Sequence, residues 1–280
     1  MPPMPTEPSA AGRLGIIAGA GDLPVRVAAA AGFASPPFVV VIAGERALAD
    51  FAGFDAIECE IGAVGAIVDA LRAAGCRQVA LAGHVRRPRW QHLRPDWRGM
   101  KLLPRAMLAA GRGDDALLRL LVEYLTDEGF QVVGVEQIMA ELLAPEGPVG
   151  RLLPDDAARQ DIARGALVAA AIGQIGAGQA AVVRDGRVLA LEAAEGTDAM
   201  LQRVAMLDPA GRGGVLVKRP MPGQDRRVDL PTVGARTVAA AAAARLAGIA
   251  VEAGGALIVD RAEVARAADA AGLFVVGFRP

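Results

Sequence analysis

The 280-residue chain has a net charge of −1 with its signs mixed along its length, so it lacks the basic field on which nucleic-acid binding depends. Although 53% of the residues are hydrophobic, no uninterrupted apolar run approaches the roughly 20 residues that a bilayer-spanning helix requires. The length exceeds one ordinary hydrophobic core and is expected to divide into two domains.

In chain order, residues 1–12 are rich in Pro and Ala. They have neither the basic start nor the apolar centre of a signal peptide, so they read as a flexible tail on a cytoplasmic protein. From Arg13 to Ala18 an apolar run ends in Gly19-Ala20-Gly21-Asp22-Leu23-Pro24. A helix follows over Val25 to Ala31, with Asp22 as its N-cap and Pro24 near its start. Strands near Phe38 to Ile42, Ala56 to Glu60, Gln78 to Ala82 and Phe130 to Val135 then alternate with helices over Ala63 to Ala74 and Asp114 to Glu128. That alternation predicts a Rossmann-like open parallel sheet over residues 13–143, with ligands at the carboxyl ends of its strands. Between them, His84 to Lys101 gathers Arg86, Arg87, Arg89, Arg94, Arg98 and Lys101 with Trp90 and Trp97. It reads either as a stretch that meets anions or a membrane surface, or as a solvated loop with two amphipathic anchors.

Residues 144–154, with Pro145, Gly147, Pro148, Gly150 and Pro154, have the breaker density of a linker or hinge. A second α/β domain is expected over 155–280. It opens with a helix to about Ile175 and a hairpin whose strands, Ala180 to Val183 and Val188 to Leu191, flank Asp185-Gly186. A helix opening at Thr197, a strand over Val215 to Lys218 and a helix over Thr232 to Leu246 follow. Short strands near Ala250 and Ala256, a helix over Asp260 to Ala271 and a strand over Leu273 to Gly277 close the domain.

The polar inventory is thin. The chain has no Asn, two Ser (Ser9 and Ser35), two His (His84 and His92), and two Lys (Lys101 and Lys218) against 28 Arg. Neither serine sits in a nucleophile elbow, which argues against a Ser-His-Asp hydrolase. Two histidines without a cysteine cluster make no zinc motif, and Cys59 and Cys76, in apolar contexts, read as buried free thiols. What remains is carboxylates, Lys, Arg and backbone amides, a set suited to phosphoryl chemistry with a hard cation.

Four places could carry that chemistry. Gly19, Gly21 and Asp22 lie between a strand and a helix, where backbone amides can approach a phosphate or close a tight turn; the dinucleotide fingerprint would want Gly where Pro24 stands. Asp114 and Asp115 open a helix, one as cap and the other in the first turn, with room for a role facing a cleft. Thr197 and Asp198 follow Glu195-Gly196 and read as a helix cap or as part of an anion or sugar site. The run from Lys218 to Gly234 is the richest, with three prolines and Val228 and Leu230 to pin Gln224, Asp225, Arg227 and Asp229. There Asp225 and Asp229 could bind Mg²⁺ or orient water while Lys218 and Arg227 balance phosphate charge, or the run could be a surface salt-bridge cluster.

Taken in order, Gly15-Ile16-Ile17-Ala18-Gly19-Ala20-Gly21 with Leu23-Pro24, Ala82-Gly83-His84-Val85-Arg86-Arg87-Pro88, Gly113-Asp114-Asp115 with Leu118, Glu195-Gly196-Thr197-Asp198 and the run Lys218 to Gly234 resemble the LpxI-type UDP-2,3-diacylglucosamine pyrophosphatases of lipid A biosynthesis. The resemblance implies cation-assisted attack of water on the α-phosphorus, giving UMP and 2,3-diacylglucosamine 1-phosphate, with Mg²⁺ or another divalent cation such as Mn²⁺ as cofactor. Asp225 matches the family's catalytic aspartate. The resemblance further implies an amphiphilic nucleotide-sugar lipid held between two domains, a homodimer, and peripheral contact with the inner membrane. The expected site is therefore Asp225, Asp229 and Lys218 for catalysis, with Asp225 and Asp229 on the metal. Gly19, Gly21, Asp22, Gly83, Asp114, Thr197, Asp198, Gln224, Arg227 and Thr237 are the expected substrate contacts. The alternatives are a nicotinamide-dependent oxidoreductase built on the first domain and a nucleotide-sugar sensor that binds without cleaving.

Overall fold

The computed structural model describes residues 12–31, 36–87, 90–207 and 213–280. The expected tail up to residue 11, Ser9, Ser35, Pro88 and Arg89 lie outside the described residues. The chain forms two compact units, residues 1–139 and 140–280.

The first unit runs β1 (Arg13–Ala18), α1 (Leu23–Ala31), β2 (Phe38–Ile42), β3 (Asp55–Cys59), α2 (Val64–Ala73), β4 (Cys76–Ala82), α3 (Trp97–Ala110), α4 (Asp114–Asp127), β5 (Gln131–Val133) and α5 (Val135–Ile138). Its five strands are all parallel, in the order β3-β2-β1-β4-β5. All five residues of β2 are buried, as expected of a central parallel strand whose two faces are both covered, and this is why it reads as an unbroken apolar run. The strand order reverses between β1 and β4, the position at which such sheets receive ligands. The last residues of the His84 to Lys101 stretch, one reading of which is a solvated loop, open α3, which runs on to Ala110 and is capped by the Asp96 carboxylate accepting from Gly99 N–H at 2.7 Å.

The second unit runs β6 (Gly147–Pro148), α6 (Asp156–Gln174), β7 (Ala180–Arg184), β8 (Arg187–Leu191), α7 (Gly196–Leu207), β9 (Val215–Lys218), β10 (Thr232–Val233), α8 (Ala235–Ala243), β11 (Gly248–Glu252), β12 (Leu257–Ile258), α9 (Arg261–Ala271) and β13 (Phe274–Phe278). Six strands form a mixed sheet in the order β6-β13-β11-β9-β7-β8, and β10 pairs with β12 beside it. The breaker-rich segment expected as a linker contributes β6, antiparallel to β13 at the sheet edge, where a proline costs no ladder bond. Alternation along the strands sorts the core into two layers. Val215, Val217, Ala250 and Phe274 meet Ala158, Ile162 and Ala166 of α6. Leu216, Ile249 and Val275 meet Met200 and Leu201 of α7, Val238 and Ala241 of α8, and Val264 and Ala268 of α9.

The hairpin turn is as its sequence suggests: Asp185 and Gly186 both have positive φ (51° and 73°), the pattern that matches strand twist. Both turn amides donate to the buried Asp161 carboxylate, at 3.0 and 2.7 Å, which secures the turn to α6. The helix expected from Thr232 starts three residues later because Thr232 and Val233 are taken up by pairing with β12. No helix among the described residues is long and apolar enough to cross a membrane.

Cys76 is buried and free, while Cys59, expected to be buried, is half-buried. Burial pushes the Cys76 thiol up to about 11, against a smaller opposing pull from Arg13. Native protein should therefore leave Cys76 unalkylated by iodoacetamide at about pH 8 while urea-unfolded protein reacts fully. Peptide mass spectrometry reads the difference, and equal labelling in the two states would contradict this burial.

Candidate active site

In the first unit, the loops after β1 and β4 are paired through an isolated bridge: Ala20 N–H donates to His84 O at 2.6 Å and His84 N–H to Ala20 O at 3.2 Å. Two expected site glycines make the approach possible. A Cβ on Gly19 would lie 2.4 Å from His84 O, and one on Gly83, which has φ 85°, would lie 2.5 Å from Ala20 O. Asp22 immediately precedes α1, its carbonyl taking the Arg26 amide at 3.2 Å. Its carboxylate meets Arg46 at 3.3 Å, and the Arg46 guanidinium also donates to Gly21 O. Gly113, not an aspartate, caps α4. Asp114 and Asp115 both lie in the first turn, where negative charge meets the helix dipole, and they pair with Arg87 at 3.7 Å and Arg119 at 2.5 Å. Near these loops a cavity of about 500 Å³ is lined by Ile42, Ala43, Glu45, Ile61, Val85, Arg86, Arg87 and His92. Gly19, Gly21, Asp22 and Gly83 are thus gathered at the switch point, and Asp114 is joined to the β4 loop through Arg87.

In the second unit the site is built on the end of β9. The alternation that turns Leu216 toward α7 and α8 turns Lys218 the same way, and the side chain is only 5% exposed. Its ammonium lies 2.9 Å from Thr197 Oγ1 and 3.3 Å from Thr232 O. Thr197 Oγ1 donates onward to Glu192 Oε1 at 2.5 Å, and Glu192 Oε2 accepts from Gln179 N–H at 3.1 Å. Burial pushes the Lys218 ammonium down from its ordinary value, while Glu192, Asp198 and Asp229 pull it back up. Expected as a point charge on phosphate, Lys218 is instead an internal tie joining β9, the first turn of α7 and the start of β10. A compact ammonium with rotatable donors fits there where a planar guanidinium would not. Thr197 is correspondingly not the helix cap, since α7 begins at Gly196 and the hydroxyl is committed to Lys218 and Glu192.

Between β9 and β10 the chain makes a helical turn: the Val228 and Asp229 amides both donate to Asp225 O, at 3.1 and 3.2 Å. Gln224, 7% exposed, accepts the Met221 amide at 2.9 Å and donates to Asp229 Oδ2. Asp225 is held bidentately by Arg227, whose Nε and Nη2 lie 2.9 and 2.6 Å from its two oxygens. The partnership holds the Arg227 guanidinium above its ordinary value. Arg226 donates to Gly254 O, which ties the turn to the loop after β11. Asp198 pairs with Arg236 at 2.9 Å on an exposed edge. Thr237 accepts the Gly234 amide at 3.4 Å and so closes the N-terminus of α8. Gln224, Asp225, Arg227 and Asp229 therefore form one constellation, with Lys218 and Thr197 supporting it and Asp198 and Thr237 at its margin.

Sequence reasoning missed Glu192, which terminates the hairpin strand and is buried at 7% exposure. The one signal for it is an acid directly after Val188-Leu189-Ala190-Leu191, a place where a solvent-facing residue would be just as ordinary. Among the described residues no group of three or more His, Cys, Asp or Glu side chains could hold a metal ion. The carboxylates of Asp225 and Asp229 are hard oxygen donors one helical turn apart. They fit the kind of site in which Mg²⁺ keeps most of its water and takes its remaining oxygens from a substrate's phosphates.

Fold and site together define a two-unit α/β protein whose second unit presents a pinned, carboxylate-bearing turn. Residues 13–142 match the model of the LpxI N-terminal domain and residues 145–276 that of the LpxI C-terminal domain, and the chain belongs to the LpxI family. It is 46% identical over 274 residues to the UDP-2,3-diacylglucosamine pyrophosphatase LpxI of Caulobacter vibrioides, an alignment covering 96% of this chain and 98% of that protein.

Replacing Lys218 with Met would leave the Thr232 carbonyl and the part-buried Thr197–Glu192 pair without their cationic donor and should destabilise the fold by about 1–3 kcal/mol, the general cost of leaving buried polar groups unsatisfied. The near-isosteric Thr197→Val removes one donor and one acceptor and should cost about 1–3 kcal/mol. Urea unfolding of both variants measures this, and a Lys218→Met protein as stable as its parent would show that the ammonium is no tie.

Proposed function

We propose that the chain hydrolyses UDP-2,3-diacylglucosamine, water attacking the α-phosphorus to give UMP and 2,3-diacylglucosamine 1-phosphate. Membership of the LpxI family over both units carries this reading, and the pinned acidic turn supplies groups suited to it. Asp225 orients the attacking water and accepts its proton at a carboxylate oxygen. The bond from the α-phosphorus to the bridging oxygen breaks, and that oxygen leaves on the sugar 1-phosphate. Arg227 moves from Asp225 to the diphosphate, whose oxygens match the same guanidinium fork, and so frees the carboxylate as substrate arrives. Gln224 keeps Asp229 in place beside it.

Asp225 and Asp229 would hold a Mg²⁺ or Mn²⁺ ion, which when bound neutralises diphosphate charge and acidifies coordinated water. Lys218 acts by holding the turn rather than by touching substrate. Gly19, Gly21, Asp22, Gly83 and Asp114 in the first unit, and Thr197, Asp198 and Thr237 in the second, remain the proposed contacts or supports for the nucleotide-sugar. A cytoplasmic homodimer in peripheral contact with the inner membrane completes the reading, because the diacylated substrate resides in a bilayer.

Asp225→Asn preserves shape and removes the base, so turnover should fall by roughly 10²–10⁴-fold with folding intact. In ¹⁸O-labelled water the label should enter UMP, as mass spectrometry of the products will show. Chelation should abolish turnover and added Mg²⁺ or Mn²⁺ restore it. Undiminished hydrolysis by Asp225→Asn would remove the proposed base, label in the sugar phosphate would move the attack to the other phosphorus, and activity surviving chelation would take the cation out of the scheme.

A further inference from the structure

Helix α3 turns its apolar side outward. Trp97 and Leu108 are each 72% exposed, Met100 is 55% exposed and Met107 51%. Its buried residues are Gly99 and Ala110, small residues that let the opposite face lie against α2 and α4. At about 100° per residue the exposed positions 97, 100, 101, 104, 105, 107 and 108 fall within one arc of roughly 160°. Trp97, Met100, Pro104, Met107 and Leu108 fill its centre and one flank, while Lys101 and Arg105 lie along the other.

The charge on this helix has one sign. Its 14 residues include Arg98, Lys101 and Arg105 and no acid. The Lys101 ammonium sits 4.9 Å from the Trp97 ring centroid, so the cation is held at the border of the apolar strip. Arg98 leans on Asp69 of α2 at 3.0 Å, and Arg105 on Glu123 of α4 at 3.4 Å. Along this cationic border a recess of about 340 Å³ is lined by Arg98, Lys101, Leu102, Arg105, Tyr124 and Glu128. Helices with an apolar strip bordered by Lys and Arg lie flat in the boundary between headgroups and acyl chains, and anionic lipid strengthens the contact.

We propose that α3 is the membrane-docking element of this protein: Trp97, Met100, Met107 and Leu108 enter the acyl boundary of an anionic bilayer while Lys101 and Arg105 meet lipid phosphates. A second copy of the chain suits the face less well, because an antiparallel two-fold contact through α3 sets the cationic border of one copy beside that of the other. The assignment deepens the proposed peripheral membrane contact and rests on that reading. Its test uses vesicles without substrate, so loss of lipid binding and loss of hydrolysis are read separately.

The experiment is flotation with vesicles of equal parts phosphatidylglycerol and phosphatidylcholine, and of phosphatidylcholine alone. Trp97 fluorescence is followed in a Trp90→Phe background. Parent protein should float with the anionic vesicles and its emission should shift to the blue, with much weaker binding to phosphatidylcholine. Met107→Glu with Leu108→Glu should abolish flotation. Lys101→Glu with Arg105→Glu should raise the lipid needed for half-binding by roughly tenfold or more. All four positions are exposed, and circular dichroism checks that each variant is folded. The proposal is overturned if the parent does not float, if either double variant floats undiminished, or if sedimentation shows instead that the Met107/Leu108 change splits a dimer of a non-floating parent.

Discussion

The Lys218 ammonium holds together three pieces of the second unit that are far apart in sequence. Burying an unpaired ammonium costs several kcal/mol, so its depth is tolerable only because Thr197, polarised from behind by Glu192, and the Thr232 carbonyl accept its donors. The geometry of the acidic turn follows from this. The loop carrying Asp225 and Asp229 leaves β9 at Lys218 and returns at Thr232, and both its ends are fixed by the same nitrogen. Between those ends Gln224 bridges the Met221 amide and the Asp229 carboxylate from inside the loop, and Arg226 ties the turn to Gly254 O.

On that frame the charged groups divide their labour by depth. Lys218 and Glu192 are interior and serve geometry; Asp225 and Arg227 are nearer solvent, their side chains 18% and 43% exposed. The Arg227 guanidinium closes on the Asp225 carboxylate through two parallel donors, the geometry that fixes a planar fork most firmly. The pair holds Asp225 in one orientation at the outer side of the turn.

Much of this architecture was legible in the chain. β1, β2, β7, β9 and β11 announce themselves as continuous apolar runs because both sheet faces are covered, and Asp185-Gly186 marks its turn because few residue pairs tolerate positive φ twice in succession. The acidic turn was legible as a candidate because prolines and the aliphatic residues Val228 and Leu230 frame it. Helix α3 was not: Gly99 and Pro104 interrupt its pattern, and its large apolar residues face outward, so the periodicity that identifies a packed helix has no interior to refer to. The depth of Lys218 was hidden for a related reason. A strand's alternation tells which face a residue takes, but whether that face ends in solvent or under α7 depends on where a helix some twenty residues earlier has been laid. Thr197 read as a cap because its own neighbourhood satisfies every local rule for one, and only the distant ammonium claims its hydroxyl instead.

The bridge between Ala20 and His84 ties the loop after β1 to a loop that the chain reaches only after completing β2, β3, α2 and β4. Each loop supplies the other's backbone partners across a long excursion of chain, so the closure entropy of that excursion is the cost of the bridge. Order at this switch point consequently depends on the fourth strand: without β4 and the loop that follows it, Ala20 loses the His84 partner of both its backbone groups.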